Sequence, residues 1–425
     1  MGEDISEDRR RQICDWAARL KQLESPIRIL RAISWAPEVK ERFFADGAQE
    51  LPRVTYEPRD MDEVSDGLRR LRGELGSSPE EMWLSRQADA LEAGAGMLAN
   101  LGTAEFTRWS IQVYGAPEDS SVDGSSTVLD LARHLESMLH ELEGVDLGAP
   151  PPACHLAYAV AEQIESAVTE HFGDDAPRVE LVDEMASNAL AGSRRIRLRR
   201  SACFTDLDAD QLLHHEAYIH VGTSLNGRRQ KDLPILGAGH PGTTRTQEGL
   251  AVFAELISGT WDIDRLHRLA RRVIAIQMAL DGADFLDVYR YFVDEGVEAD
   301  QAFENTRRVF RGGLVTGGAP FTKDAVYLDG LLRVHSFLRT LVAEGRTDVL
   351  RLLFCGKLDL VDLPVLARLY ENGLVQAPRY LPPWAEDLRF LVSYLGLSLF
   401  LNRVDLQAVR RRFAADLAAT PRLDL

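Results

Sequence analysis

The sequence predicts an α+β fold that is predominantly helical, with a small sheet and a surrounding helical shell. Apolar residues recur at helical spacing along most of the chain, and almost without interruption from Glu248 to Leu417. Strand patterns are confined to two short stretches, 178–182 and 194–200, and the second alternates Arg with Ile or Leu. A helical shell around so small a sheet places the chain in the α+β class.

The chain divides into an N-terminal extension and a longer functional unit. Helical periodicity predicts that residues 1–50 form a helical extension, in which the apolar residues between 13 and 20 share one face. Residues 51–150 are expected to be the helical N-terminal part of the functional unit, and residues 151–425 its core with C-terminal helices. Three consecutive prolines, Pro150–Pro152, exclude a helix and mark the boundary between the two.

The candidate functional centre is the run H-E-A-Y-I-H from His215 to His220. It lies on a predicted helix that Thr205 and Asp208 would cap. Two imidazoles and a carboxylate are the ligands of a catalytic zinc, which leaves its fourth position for water. In the familiar H-E-x-x-H motif, a spacing of four stacks both imidazoles on one helical face.

The spacing of the two histidines differs from that motif and has a structural consequence. His215 and His220 are five residues apart. On a regular helix this spacing puts them roughly 140° apart around the axis, so they would not face the same ion. A π-bulge restores their convergence, and such bulges cluster at functional sites. The sequence therefore predicts a π-bulge near residues 217–219.

The third ligand is expected to come from a following helix. Glu248 is the predicted ligand, and His240, in the preceding loop, is the alternative. His214 points away from His215 on any helix and is not expected to bind the metal. Glu255 follows two turns after Glu248, where it would either hydrogen-bond a ligand histidine or be an ordinary polar residue.

The order of these elements indicates a fold type. A strand, a metal-binding helix and a helix that carries a glutamate follow one another in zinc peptidases of the gluzincin type. The sequence thus predicts a zincin-like (gluzincin-type) metallopeptidase core. The stretch 185–193 is expected to be a loop before the strand. The metal helix is expected to end at Asn226–Gly227. Residues 228–245 are expected to form a loop between the two metal helices.

The same motifs carry a family resemblance. The chain resembles the bacterial QEGLA-motif proteins, labelled flavohaemoglobin-expression-modulating, which are similar to the eukaryotic microtubule-associated tyrosine carboxypeptidases. The resemblance covers roughly residues 51–400. The matching segments are His215–His220, Asn226–Gly227, Gln247–Ala251, Arg311–Gly313 and Pro320–Gly330. The resemblance implies that the residues of these segments bind zinc and that the protein removes a C-terminal residue. The bacterial label, in contrast, describes an effect on expression and names no substrate.

Three cationic residues and a tyrosine form the candidate substrate-binding region. They are Arg307, Arg311, Lys323 and Tyr327, which lie in or beside the matching segments Arg311–Gly313 and Pro320–Gly330. A C-terminal carboxylate needs a bidentate Arg or a Lys, and a tetrahedral oxyanion needs a phenol or a cation. A surface ion-pair cluster would have the same composition, and the resemblance favours the functional interpretation.

Composition excludes several classes of partner. A net charge of −17 and a pI near 5.1 argue against a nucleic-acid partner, because phosphate contact needs clustered cations. The most apolar run, Phe390–Leu401, is too short to span a bilayer, so no membrane association is expected. The sequence does not predict the oligomeric state.

Cysteine usage and the N-terminus indicate the compartment. Cys14, Cys154, Cys203 and Cys355 are widely separated and form no C-x-x-C pair, which predicts reduced thiols in a cytoplasmic protein. The N-terminus is acidic and lacks the apolar segment of a secretory signal.

The sequence therefore predicts a zinc-dependent carboxypeptidase that acts on a peptide or protein C-terminus. Zn²⁺ would be held by His215, His220 and Glu248, with Glu216 as general base. Tyr327 or Lys323 would stabilise the oxyanion, and Arg311, with Arg307 nearby, would bind the substrate carboxylate. The alternative is a metal-binding regulatory protein that affects gene expression without hydrolysis, although such a protein needs no base beside its ligand.

Overall fold

Helices form most of the protein. The computed structural model describes residues 5–142, 144–145, 155–183, 189–192 and 194–420. The α-helices are α1 (Glu7–Glu24), α2 (Ile29–Ala32), α3 (Pro37–Ala45), α4 (Asp62–Glu74), α5 (Pro79–Ala99), α6 (Ala104–Tyr114), α7 (Val128–His140), α8 (Ala157–Phe172), α9 (Asp206–Leu212), α10 (Gly222–Arg229), α11 (Pro241–Ile257), α12 (Ile263–Leu280), α13 (Phe285–Asp294), α14 (Ala299–Phe310), α15 (Val326–Ala343), α16 (Leu363–Glu371), α17 (Pro383–Glu386), α18 (Leu388–Leu401) and α19 (Leu406–Ala418).

Short strands and other helix types complete the described structure. The strands are β1 (His155–Leu156), β2 (Arg178–Val182), β3 (Ala189–Gly192), β4 (Arg195–Arg199) and β5 (Cys203–Phe204). A π-helical segment, Leu213–Val221, connects α9 to α10. The 3₁₀ segments are Gly173–Asp175, Pro234–Gly237, Thr322–Ala325, Thr347–Phe354 and Leu360–Asp362. The predominantly helical α+β class predicted from the sequence agrees with this architecture.

The sheet beside the functional centre has the order β2-β4-β3. Strand β2 pairs with β4 in parallel, and β3 pairs with β4 in antiparallel orientation. The predicted alternation in β4 is confirmed, because Ile196 and Leu198 are buried and pack in one cluster with α8 and the π-helical segment. Strand β3 is an edge strand of this sheet. It lies in the stretch predicted to be a loop, so that prediction is wrong for residues 189–192.

Helices α11 and α15 cross in direct backbone contact at the centre of the largest core. A Cβ atom on Gly249 would lie 2.3 Å from the carbonyl oxygen of Gly330, and one on Gly330 would lie 2.3 Å from the carbonyl oxygen of Arg245. Only glycine permits so close a crossing. The contact fixes the position of Glu248, the residue before Gly249, relative to the rest of the core.

The C-terminal end of the metal helix and its connection to α11 differ from the sequence expectation. Helix α10 continues through Asn226–Gly227 to Arg229. Asn226 is buried, and its side chain donates to the carbonyl oxygens of Phe354 and Tyr380. It therefore connects distant segments and does not end the helix. Because α11 already begins at Pro241, the connecting loop is shorter than predicted.

The N-terminal extension packs on the core as its periodicity predicts. Ile13, Trp16, Ala17 and Leu20 are buried and belong to the same apolar cluster as α5 and α11. The predicted linker at Gly148–Pro152 lies outside the described residues.

The cysteines correct one expectation about the thiols. Cys14 and Cys355 are free thiols, but Cys203 is disulfide-bonded, so the prediction of reduced thiols is wrong for Cys203. Cys154 lies outside the described residues. Among the described helices, none combines the length and the apolar character needed to cross a bilayer.

Candidate active site

A π-helical segment brings the two spaced histidines onto one face. Thr205 and Asp208 form the predicted capping box that begins α9. From Leu213 to Val221 the backbone is π-helical, so residues five apart stack on the same side. The rings of His215 and His220 have their centroids 4.9 Å apart. The predicted distortion is confirmed, and it extends over more of the helix than a single bulge.

Glu248 of α11 completes a group of three potential metal ligands. One oxygen of Glu248, Oε2, lies 3.5 Å from Nε2 of His215 and 3.6 Å from Nε2 of His220. All three atoms lie within 4.8 Å of one another. Two ligand atoms that are each about 2.1 Å from a tetrahedral ion are about 3.4 Å apart. The spacing in the structure therefore fits a zinc ion.

The hydrogen bonding of Glu248 supports the same fit. Its Oε2 atom is buried and has no hydrogen-bond partner within the described residues, while Oε1 accepts a bond of 2.9 Å from Lys323. Burial alone would raise the pKa of Glu248, but Lys323 and the two imidazoles hold the pKa well below its usual value. A charged carboxylate thus presents one unsatisfied oxygen to two imidazole nitrogens.

Glu255 orients His215 from the side opposite the candidate metal position. Its Oε1 accepts a hydrogen bond of 2.5 Å from Nδ1 of His215. Arg265 of α12 holds the same carboxylate through two bonds of 2.7 and 2.8 Å. Metal-bound histidines commonly donate their second N–H to a carboxylate in this way. Of the two interpretations of Glu255, the structure favours the histidine contact.

The two histidines differ in pKa. Burial lowers the pKa of His215, but the nearby carboxylates of Glu248 and Glu255 outweigh burial and raise the pKa to about 10. Burial dominates for His220 and lowers its pKa. In the metal-free protein His220 is therefore neutral and ready to bind a metal, whereas His215 carries a proton that a metal would displace.

Glu216 lies between the histidines and the edge of the sheet. Its Oε2 accepts a hydrogen bond of 3.1 Å from the backbone N–H of Ala191 in β3. The side chain lines a cavity of about 750 Å³ that also contains His215, His220 and Glu248. A carboxylate at this place, open to the cavity, can reach a water molecule beside the ligand group.

The predicted anion-binding residues line the same cavity. Arg307, Arg311, Lys323 and Tyr327 all face it. Lys323 is bound to Glu248, and its ammonium lies 5.0 Å from the centroid of the Tyr327 ring. The phenol oxygen of Tyr327 accepts a 3.3 Å bond from Arg308. The structure thus places every candidate in one cavity, but it pairs Lys323 with the predicted ligand Glu248.

Two other histidines are not part of the ligand group. The ring of His214 lies 5.3 Å from that of Tyr218. His240 lines the cavity as the residue before α11, and both its ring nitrogens are buried without hydrogen-bond partners among the described residues. Burial lowers the pKa of His240 to about 4. The structure does not bring either residue into the group formed by His215, His220 and Glu248.

Sequence reasoning missed two features of the site. Lys357 donates 3.1 Å to the carbonyl oxygen of His220 and 3.0 Å to the side chain of Gln247, and burial lowers its pKa to about 8. Only the scarcity of lysine distinguished it in the sequence. Arg265, Arg268 and Arg272 of α12 also line the cavity. Their spacing along the sequence places them on one face of a helix, and this pattern could have identified them.

The fold and site define a helical α+β protein with a potential metal-binding group in the wall of a cation-rich cavity. Residues 41–403 match the family described as microtubule-associated tyrosine carboxypeptidase, and the chain belongs to that family. The relation to these carboxypeptidases expected from the sequence is confirmed, and membership implies a carboxypeptidase-type enzyme. A search of the curated proteins finds no match.

Proposed function

We propose that this protein is a zinc-dependent carboxypeptidase with a gluzincin-type core. The observation that carries the proposal is the group formed by His215, His220 and Glu248, whose distances fit a tetrahedral ion. Family membership supports the carboxypeptidase class, and the glutamate adjacent to the first histidine supports hydrolysis.

The residues of the chain have distinct roles in this proposal. When bound, the ion supplies Lewis-acid activation of water and of the scissile carbonyl. Glu216 accepts a proton from the attacking water and delivers it to the leaving amine. Glu255 keeps Nδ1–H of His215 in place, so that Nε2 remains available as a ligand.

The cavity supplies the remaining groups. Tyr327 is better placed than Lys323 to stabilise the oxyanion, because Lys323 is already bound to Glu248. Arg311 binds the carboxylate at the end of the substrate. Edge strand β3, beside Glu216, offers a backbone edge along which an extended peptide can align. The substrate is therefore the C-terminus of a peptide or protein.

Metal content and peptide hydrolysis test this function together. We expect protein purified without chelator to contain about one zinc per chain, and His215→Ala to lose most of it, because a tetrahedral site would keep only two ligands. Glu216→Gln should keep the metal and lose about 10²–10⁴-fold in hydrolysis rate. Glu162→Gln, an exposed change on α8, is the matched control.

Two results would contradict the proposal. Wild-type protein that contains no transition metal and takes none up would refute the zinc site. Zinc-loaded wild type that cleaves no peptide and behaves like Glu216→Gln in every assay would favour the non-hydrolytic, regulatory alternative.

A further inference from the structure

Helix α18 is buried on one side and apolar on the other. It contains no charged residue between positions 390 and 401. Leu391 and Leu395 are buried in the largest core, to which α15 also belongs. The large apolar side chains that α18 exposes on its outer side include Phe390, Leu397, Phe400 and Leu401. Contiguous apolar surface of this kind marks an interaction site, whereas single exposed apolar residues do not.

Helix α19 has an apolar stripe but no buried side. Every residue from Leu406 to Ala418 is exposed. The large apolar residues nevertheless recur at helical spacing, and they are Leu406, Val409, Phe413 and Leu417. Arg410 lies 4.0 Å from Glu141, but both side chains are exposed, so this ion pair contributes little. An isolated helix of about this length is marginal in water, so α19 needs a surface to pack on.

The stripes of α18 and α19 match each other in length and spacing. In α18 the stripe passes through positions 390, 394, 397 and 401, and in α19 through positions 406, 409, 413 and 417. Each stripe therefore runs for about three helical turns. Helices with stripes of this spacing pack side by side, because the side chains of one helix fit between those of the other.

A second copy of the chain can cover both stripes at once. Within the described part of one chain neither stripe covers the other, because both are exposed. Around a two-fold axis, α18 of each copy can pack on α19 of the other, which gives two identical contacts. The four helices would then form one bundle, and both stripes would lie in its core.

Charge favours a second copy over a lipid surface. Residues 403–418 contain four arginines and two aspartates, whereas the whole chain has a net charge of −17. Helix α19 therefore brings positive charge towards an acidic second copy, in which exposed Glu386 and Asp387 precede α18. An anionic membrane would attract the arginines of α19 but repel the rest of the chain.

The available area is also that of a stable interface. Eight large apolar side chains of the two stripes and their border are exposed, and burial of roughly 100 Å² from each would amount to about 800 Å² per copy. Specific interfaces between proteins bury about this area on each partner.

We propose that the α18–α19 face is the interface of a homodimer, in which α18 of one copy packs against α19 of the second copy. The dimer does not depend on the proposed carboxypeptidase function, because the candidate metal ligands lie on the π-helical segment and α11. The metal-free and the zinc-loaded protein should therefore dimerise alike.

The mass of the full chain in solution tests the interface. We expect sedimentation to give a mass near twice the 47.4 kDa of one chain at micromolar concentration. Leu397→Glu and Phe413→Lys each place a charge near the middle of one stripe. Because two-fold symmetry repeats each change, a tenfold loss per contact raises the dissociation constant about 100-fold. Met82→Glu, at an exposed apolar position of α5, is the matched control and should leave the dimer intact.

A mixture of the two variants tests which helices pair. In a mixed dimer one contact between α18 and α19 is unchanged, and the other brings the new carboxylate close to the new ammonium. The mixture should therefore dimerise at least about tenfold more tightly than either variant alone. This gain also shows that both variants are folded. A mixture that associates no more tightly than the better single variant would overturn the proposed pairing.

Three other results would overturn the proposal. The first is a wild-type chain that stays monomeric at about 100 μM, a concentration far above the expected dissociation constant. The second is a dimer that Leu397→Glu and Phe413→Lys weaken no more than Met82→Glu does, because such a dimer would use another surface. The third is a wild-type monomer that binds vesicles of phosphatidylcholine and phosphatidylserine and loses this binding in Leu397→Glu, which would assign the face to lipid.

Discussion

Replacing Glu255 with glutamine tests the support behind the candidate metal site. Glu255 accepts one bond of 2.5 Å from His215 and two of 2.7 and 2.8 Å from Arg265. A glutamine side chain can accept only at its single oxygen, and its amide N–H groups would face other donors. The substitution therefore removes a charge-assisted bond and leaves the buried guanidinium of Arg265 without a counter-charge.

The expected magnitudes follow from these contacts. Loss of a carboxylate behind a metal-binding histidine typically costs about 10–100-fold in metal affinity. Breaking a buried ion pair costs about 3–5 kcal/mol of folding free energy. Glu255→Gln should thus weaken zinc binding and lower the free energy of unfolding of the metal-free protein. Glu344→Gln, an exposed position at the end of α15, is the control for the chemical change.

Competition with a chromophoric chelator measures the zinc affinity, and urea unfolding in the presence of chelator measures stability. If Glu255→Gln binds zinc as tightly as Glu344→Gln, the carboxylate does not support the ligand histidine. If its unfolding free energy is also unchanged, the ion pair with Arg265 is not the stabilising contact that the structure indicates.

Two further predictions concern proton release and helix packing. Because the pKa of His215 in the metal-free protein is about 10, zinc must displace its proton, so zinc affinity should rise about tenfold per pH unit between pH 6 and 8. Calorimetry in buffers of different ionisation enthalpy should then show about one proton released per zinc, and a pH-independent affinity would contradict this. Gly330→Ala should lower the unfolding free energy by about 1–3 kcal/mol or more, because its Cβ would lie 2.3 Å from the carbonyl oxygen of Arg245. The control is Gly396→Ala in α18, where the added Cβ would have no atom within 4 Å, so this substitution should be neutral or stabilising. Equal effects of the two substitutions on the free energy of urea unfolding would contradict the close crossing of α11 and α15.

The sequence by itself determined the features that depend on local spacing. The buried face of α1 follows from helical periodicity, and the burial of Ile196 and Leu198 follows from alternation in a strand. The π-helix also follows from local spacing, because two histidines five residues apart cannot face one ion on a regular helix. The choice of Glu248 as the third member of the group was predicted and agrees with the geometry.

Other features depend on contacts between distant parts of the chain. The sequence predicts a helix end at Asn226, but its side chain donates to the carbonyl oxygens of Phe354 and Tyr380, more than 100 residues away. Lys357 reaches the carbonyl oxygen of His220 across 137 residues. The edge strand β3 has too few residues to show alternation, so its sequence predicts a loop.

Only the tertiary structure decided which carboxylate each cation of the cavity meets. Lys323 pairs with Glu248, and Arg265 with Glu255. Arg272 shares Asp324 with Arg308, whereas Arg268 forms no ion pair with a carboxylate among the described residues. Spacing along one helix shows which residues share a face, but it does not show which carboxylate of another helix each of them meets. That pairing is set by how α11, α12 and α14 pack around the cavity, because an ion pair depends on the distance between side chains and not on their separation in sequence.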